Sequence, residues 1–199
     1  LILDQLPETE DEVKAIANLF STKNYKLFLS KDASEKKIKK ENLKKFSYIV
    51  FATHAIPEAE SKNAEISGLA LSYPNQINDF DNGFLTAKEI MKLDLRSDLV
   101  LLSACETATD DQASGRAFSG MVNSFFFAGS NSVIASHWKI ESSSTVLITT
   151  SFFQNLIDKE FDAAKSLRKS ILNFKKNNKE FNHPAFWGAF SVVLNSRQT

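Results

Sequence analysis

Three short apolar runs, at residues 46–52, 98–103 and 132–136, constrain this chain more than any other feature. Each is too short for a core helix and is apolar on successive residues rather than alternate ones. That pattern belongs to a strand buried on both faces. Helical periodicity fills the intervals between and after them, and strands alternating with helices predict parallel βαβ units under helices on both faces.

The remaining elements follow from caps and periodicity. A helix is expected over 10–20, with Thr9 as N-cap before Asp11 and Glu12, and with Val13, Ile16, Ala17 and Phe20 sharing one face. A short strand is expected at 25–29. A Lys-rich helix follows over 34–44, with Ile38 and Leu43 inward. Residues 57–83 are polar and rich in turn formers, with a short strand expected at 68–72, in a hairpin. Thr86, with Glu89 three residues on, forms a capping box for a helix through Met91. A helix over 115–127 is expected to end at Gly129, and helices over 142–158 and 162–176 precede a last strand at 190–194. Phe125, Phe126, Phe127, Phe152 and Phe153 fall on helices that must cover the sheet, so they are read as core.

Composition narrows the class. A chain of 199 residues suits one domain spanning residues 1–199, and it buries roughly 70% of its unfolded surface without staples. The 24 basic residues balance the 24 acidic ones, so there is no footprint for nucleic acid or an anionic membrane. The run Lys36, Lys37, Lys39, Lys40, Lys44 and Lys45 is interleaved with Glu35 and Glu41 and reads as a solvated helix face. No apolar stretch approaches the ~18 residues of a membrane span. The opening Leu1-Ile2-Leu3-Asp4 shows neither a signal peptide nor an initiator Met, so the chain reads as a piece of a longer one. The single cysteine rules out an internal disulfide and points to a reducing, cytoplasmic setting.

In open α/β sheets, sites lie beyond the carboxyl ends of the strands. The run at 46–52 leads into Thr53-His54-Ala55, and the run at 98–103 leads into Ala104-Cys105-Glu106. The only cysteine and one of three histidines thus fall just past two buried strands, 51 residues apart. If those strands are neighbours, His54 and Cys105 face each other. The pairing matters because thiolate, not thiol, is the nucleophile, and an imidazole takes the thiol proton and later protonates a leaving amine. Backbone N–H groups of Ala55 and Cys105 are the candidates for an oxyanion hole. The plain alternative is that Cys105 is a small buried hydrophobe. Three scattered histidines and one cysteine have no metal-ligand spacing, so no metal and no cofactor is assigned. His183, before Pro184, is read as a turn or cap residue.

The order histidine then cysteine resembles that of caspases. The local motifs resemble the CHAT domain, a caspase-like peptidase domain of bacteria usually attached to tetratricopeptide repeats. Its Ala-Thr-His-Gly segment is matched by Ala52-Thr53-His54-Ala55, and its Leu-Ser-Ala-Cys-Glu-Thr segment by residues 102–107 without change. Its Gly-Phe/Leu-Leu-Thr-Ala-x-Glu-Ile segment is matched from Gly83 to Ile90. Ala128-Gly129, Val133, Ser136 and Trp138 match a further segment, and His183-Pro184, Trp187 and Phe190 match the ending. The resemblance covers nearly the whole chain, in order.

It implies a caspase–haemoglobinase-like three-layer sandwich with a mostly parallel central sheet. It implies a thiol endopeptidase acting on a protein or peptide, with His54 as general acid/base and Cys105 as nucleophile. It places Ser136, His137, Trp138 and Lys139 at the edge of a groove where a peptide adds as an extended strand. Ser103 and Glu141 are assigned to the same groove. Three departures stand out. Alanine follows the histidine where the family has glycine, the acidic pair is Glu141-Ser142, and the loop after the cysteine is reduced to Ala113-Ser114-Gly115. The chain is expected to begin after the family's first strand, which would leave the sheet one strand short. Three functions compete: a cysteine endopeptidase regulated by an upstream or partner sensor, a non-catalytic interaction module on the same fold, and a thiol hydrolase for a small ester or amide.

Overall fold

A computed structural model describes residues 3, 6–56, 67–103, 112–138, 140–158 and 162–195. In chain order its elements are α1 (Pro7–Ala17), α2 (Glu35–Lys40), β1 (Tyr48–Phe51), β2 (Ala55–Ile56), β3 (Gly68–Ala70), β4 (Phe84–Thr86), α3 (Ala87–Ile90), β5 (Leu99–Leu102), α4 (Gln112–Ala128), β6 (Ser132–Ser136), α5 (Ser142–Ile157), α6 (Ala163–Asn177) and β7 (Phe190–Leu194). The three apolar runs become β1, β5 and β6. They lie side by side in a four-stranded sheet of order β1-β5-β6-β7. The β1–β5 and β5–β6 pairs are parallel, and β7 joins β6 antiparallel. The chain is therefore α/β with a mixed, mostly parallel sheet.

All four residues of β5 are buried, and alternate ones go to opposite faces. Leu99 and Leu101, with Ile134 of β6, pack against Ile16 of α1, Ile148, Phe152 and Phe153 of α5, and Leu167 and Phe174 of α6. Val100 and Leu102, with Val133 and Ala135 of β6, pack against Met121, Val122 and Phe125 of α4, Ile90 of α3, and Leu69 and Leu85 of β3 and β4. Two apolar layers thus separate one sheet from helices on both sides. Phe125, Phe152 and Phe153 are core as expected, whereas Phe127 is 60% exposed. No described helix is long and apolar enough to cross a membrane.

The capping box at Thr86 forms as read: Glu89 N donates to Thr86 Oγ1, and Thr86 N donates to Glu89 Oε2. Elsewhere local chemistry shifted the boundaries. α1 starts at Pro7, whose missing N–H suits the first helical position, and Thr9 donates its hydroxyl proton to the Leu6 carbonyl instead of capping. α2 is capped by Ser34 but stops at Lys40, where Glu41 turns extended, and a separate 3-10 turn carries Leu43. Residues 25–29 are not a strand. Phe28 packs on the core and Lys26 ion-pairs with Glu41, so the segment is held by its side chains rather than by a ladder.

The loop from α4 into β6 depends on a glycine. Gly129 has φ +110°, and a Cβ there would lie 2.3 Å from the Leu95 carbonyl oxygen. Leu95 N in turn donates to the Ala128 carbonyl (2.8 Å), locking α4 to the segment that enters β5. Gly129→Ala is expected to lower unfolding stability by about 2 kcal/mol or more, measured by urea titration.

Candidate active site

The carboxyl ends of β1, β5 and β6 share one edge because the three strands are parallel. β1 pairs with β5 from Tyr48↔Leu99 to Phe51↔Leu102. Past those last pairs the chain reaches His54 on one side, and Ser103 on the other. Cys105 and Lys139 lie outside the described residues.

His54 is half-buried and its neighbourhood is pinned to β3. Its carbonyl accepts from Ala70 N (2.9 Å), and the Thr53 hydroxyl donates to the Ala70 carbonyl. The next residue opens β2, which pairs antiparallel with β3 (Ala55↔Leu69) in a small sheet of order β2-β3-β4. Ala55 is buried at 4% exposure. The only described non-glycine residue with positive φ is Ser30, so the alanine after the histidine carries no backbone strain.

Ser103 is buried, and both of its polar groups are committed. Its amide donates to the Phe51 carbonyl (2.9 Å), tying the end of β5 to the end of β1. Its hydroxyl donates to Glu12 Oε2 on α1 (2.8 Å). The side chain therefore faces the α1 layer rather than an open groove.

Glu12 itself is the surprise of this edge. It is only 2% exposed, and no described residue forms an ion pair with it. Burial pushes its carboxyl up to about 7, against the hydroxyls of Ser103 and Thr149, which favour the charged form. Thr149 gives its own proton to the Thr145 carbonyl one turn back (2.9 Å). Glu12 Oε1 has no hydrogen-bond partner among the described residues. From the sequence, this residue is placed only in the helix start that follows the Thr9 cap. The available signal was its spacing, four residues before Ile16 on the inward face.

At the end of β6 the expected groove residues are near one another in sequence but turn to different partners. Ser136 is buried and pairs in register with Phe190. His137 Nε2 sits 2.8 Å from Ser191 Oγ, and its amide donates to the Ala189 carbonyl (3.0 Å). Trp138 is partly exposed, with Nε1 donating to the Ala185 carbonyl (3.1 Å). Glu141 caps α5, accepting from Ser144 N (2.9 Å) and the Ser143 hydroxyl (2.6 Å). Burial raises its pKa, but these bonds outweigh burial and hold it below the usual carboxylate range. His183 is a cap, its Nδ1 accepting from Ala185 N (3.2 Å).

The edge thus offers an imidazole next to β1, a doubly anchored serine at the end of β5, and an aromatic-lined turn after β6. A family model described as the CHAT domain matches residues 1–195. No curated protein matches the chain.

The Glu12 carboxyl sets a pH dependence of stability. Its folded pKa, about 7, exceeds its ordinary value of 4.5, so folding favours the protonated form. That contribution is complete below the unfolded pKa and is lost as pH rises through about 7. Relative to Glu12→Gln, the wild-type chain is expected to lose up to about 3 kcal/mol between about pH 5 and about pH 8, read from urea unfolding at both values.

Proposed function

The chain belongs to the CHAT domain family, and on that premise we propose that it is a cysteine endopeptidase working through a His54–Cys105 dyad. The observation that carries this reading is the parallel pairing of β1 with β5. Its register has a constant offset of 51 residues, Tyr48 opposite Leu99, and this is also the separation of His54 and Cys105 in sequence. Layers on both faces of a mostly parallel sheet support assigning residues 1–199 to one caspase–haemoglobinase-like domain.

In this mechanism His54 takes the Cys105 thiol proton, and the thiolate attacks the scissile carbonyl carbon. The oxyanion of the tetrahedral intermediate is received by the amides of Ala55 and Cys105. His54 then protonates the leaving amine, leaving a thioester. Water, deprotonated by His54, releases the acid and restores the thiol. The peptide lies as an extended strand along residues 136–139, with Trp138 as its aromatic wall. Ser103 and Glu141 contribute differently from groove contacts: Ser103 braces the end of β5, and Glu141 organises the start of α5. An upstream or partner module, such as the tetratricopeptide repeats that accompany this family, would regulate the site in the cytoplasm.

The reading of the chain as an interaction module without turnover rests on alanine in place of glycine after the histidine and on the altered loops. Ala55 sits in β2 at an ordinary negative φ, so that substitution is not a reason for inactivity.

The test is active-site labelling with iodoacetamide and a peptidyl acyloxymethyl ketone library, followed by mass spectrometry. Labelling is expected at Cys105, absent in Cys105→Ala and slowed about 100-fold or more in His54→Ala. A cysteine that labels at the rate of a free thiol whether or not His54 is present would end the peptidase reading.

A further inference from the structure

A carboxyl buried without a cation is costly, and a core position needs no such group. Glu12 occupies the inward face of α1 with Ile16 and Ala17, where an apolar side chain would pack. What it does instead is hold Ser103, two residues before Cys105 in sequence. Ser103 is also the residue whose amide closes onto Phe51, three residues before His54. One serine therefore joins three elements: the strand that leads to the histidine, the strand that leads to the cysteine, and the first helix.

We propose that Glu12 is a positioning residue of the site: through the Ser103 hydroxyl it couples the seating of α1 to the strand end that leads to Cys105, and the coupling is proton-dependent. This rests on the His54–Cys105 reading and adds a control point to it. The protonated carboxyl is the form that burial favours, so α1 seats best with Glu12 neutral. Ionisation puts a charge in an apolar layer, with one oxygen unpartnered among the described residues, and weakens the seat.

Among the described residues around the Ser103 contact, Glu12 is the buried ionisable group. α5, which packs on α1, has no charged side chain from Ser142 to Ile157 and is flanked by Glu141 and Asp158. β5 and β6 contain none. β1 contributes Tyr48, and the strand ends bring His54 and His137. On α1 itself Glu8 lies one turn before Glu12, with Glu10, Asp11 and Lys14 nearby in sequence.

The experiment uses the full chain and measures the second-order rate of Cys105 alkylation by iodoacetamide and by the preferred acyloxymethyl ketone, from about pH 5.5 to about pH 8.5. Wild type, Glu12→Gln, Ser103→Ala and His54→Ala are compared, each checked for a cooperative melt. Glutamine keeps an acceptor for the serine but cannot ionise. The ratio of Glu12→Gln to wild-type rate is expected to rise at least about threefold across that range, and Ser103→Ala to slow His54-dependent labelling about tenfold. A flat ratio, or Ser103→Ala within about twofold of wild type, overturns the proposal. Should Ser103→Ala fail to fold, the ratio alone decides. Labelling that ignores His54 in the wild type sinks the peptidase reading instead, so the two failures are distinct.

Discussion

β5 has water on neither face, and the rest of the structure depends on that. Its four residues are all buried, its backbone is paired to β1 on one side and β6 on the other, and its side chains divide between two apolar clusters. A strand enclosed in this way has only its ends available for polar chemistry. The carboxyl end is where Ser103 takes up the Phe51 carbonyl and the Glu12 carboxylate. The edge beyond β1 and β5 is thus a consequence of burial in the middle of the sheet.

Two buried carboxyls show how differently the same group is treated in this molecule. Glu35 is fully buried, yet Lys39 pairs with it, and the amides of Asn82 (2.7 Å) and Gly83 (3.2 Å) donate to it. Lys39 also bonds Glu89 (2.6 Å) and the Phe80 carbonyl (3.0 Å). Burial lowers the Lys39 pKa, but its bonds to Glu35 and Glu89 outweigh that and raise it overall. Charge and hydrogen bonds close on each other there, and the cluster holds α2 against the Asn82–Gly83 turn. Among the described residues Glu12 has no such cation, and one of its oxygens has no partner. A compensated carboxylate is a brace; an uncompensated one is sensitive to protons.

Much of this fold was legible because its signals are local and strong. The β6 run reads directly as Ser132–Ser136, the Thr86–Glu89 box needs only three residues of spacing, and Gly129 marks the end of α4 by its positive φ. The errors fall where tertiary contacts replace local preference. Residues 25–29 have strand composition but lie where Phe28 and Lys26 are claimed by other partners. β2 is two residues long, below what alternation can reveal, and exists because β3 offers it an edge.

The site divides along the same line. Sequence alone placed His54 and Cys105 after two buried runs and brought out the family motifs around them, because strand burial and motif order are written in neighbouring residues. It also marked Ser136, His137 and Trp138 as a unit. Only the tertiary structure decided that β1 and β5 are partners, and that their register is offset by 51 residues. Likewise, only the fold turned Ser103 toward Glu12 and gave Glu141 to the start of α5. Those outcomes join residues up to 91 positions apart. They depend on which layer covers which face, and no local preference carries that information.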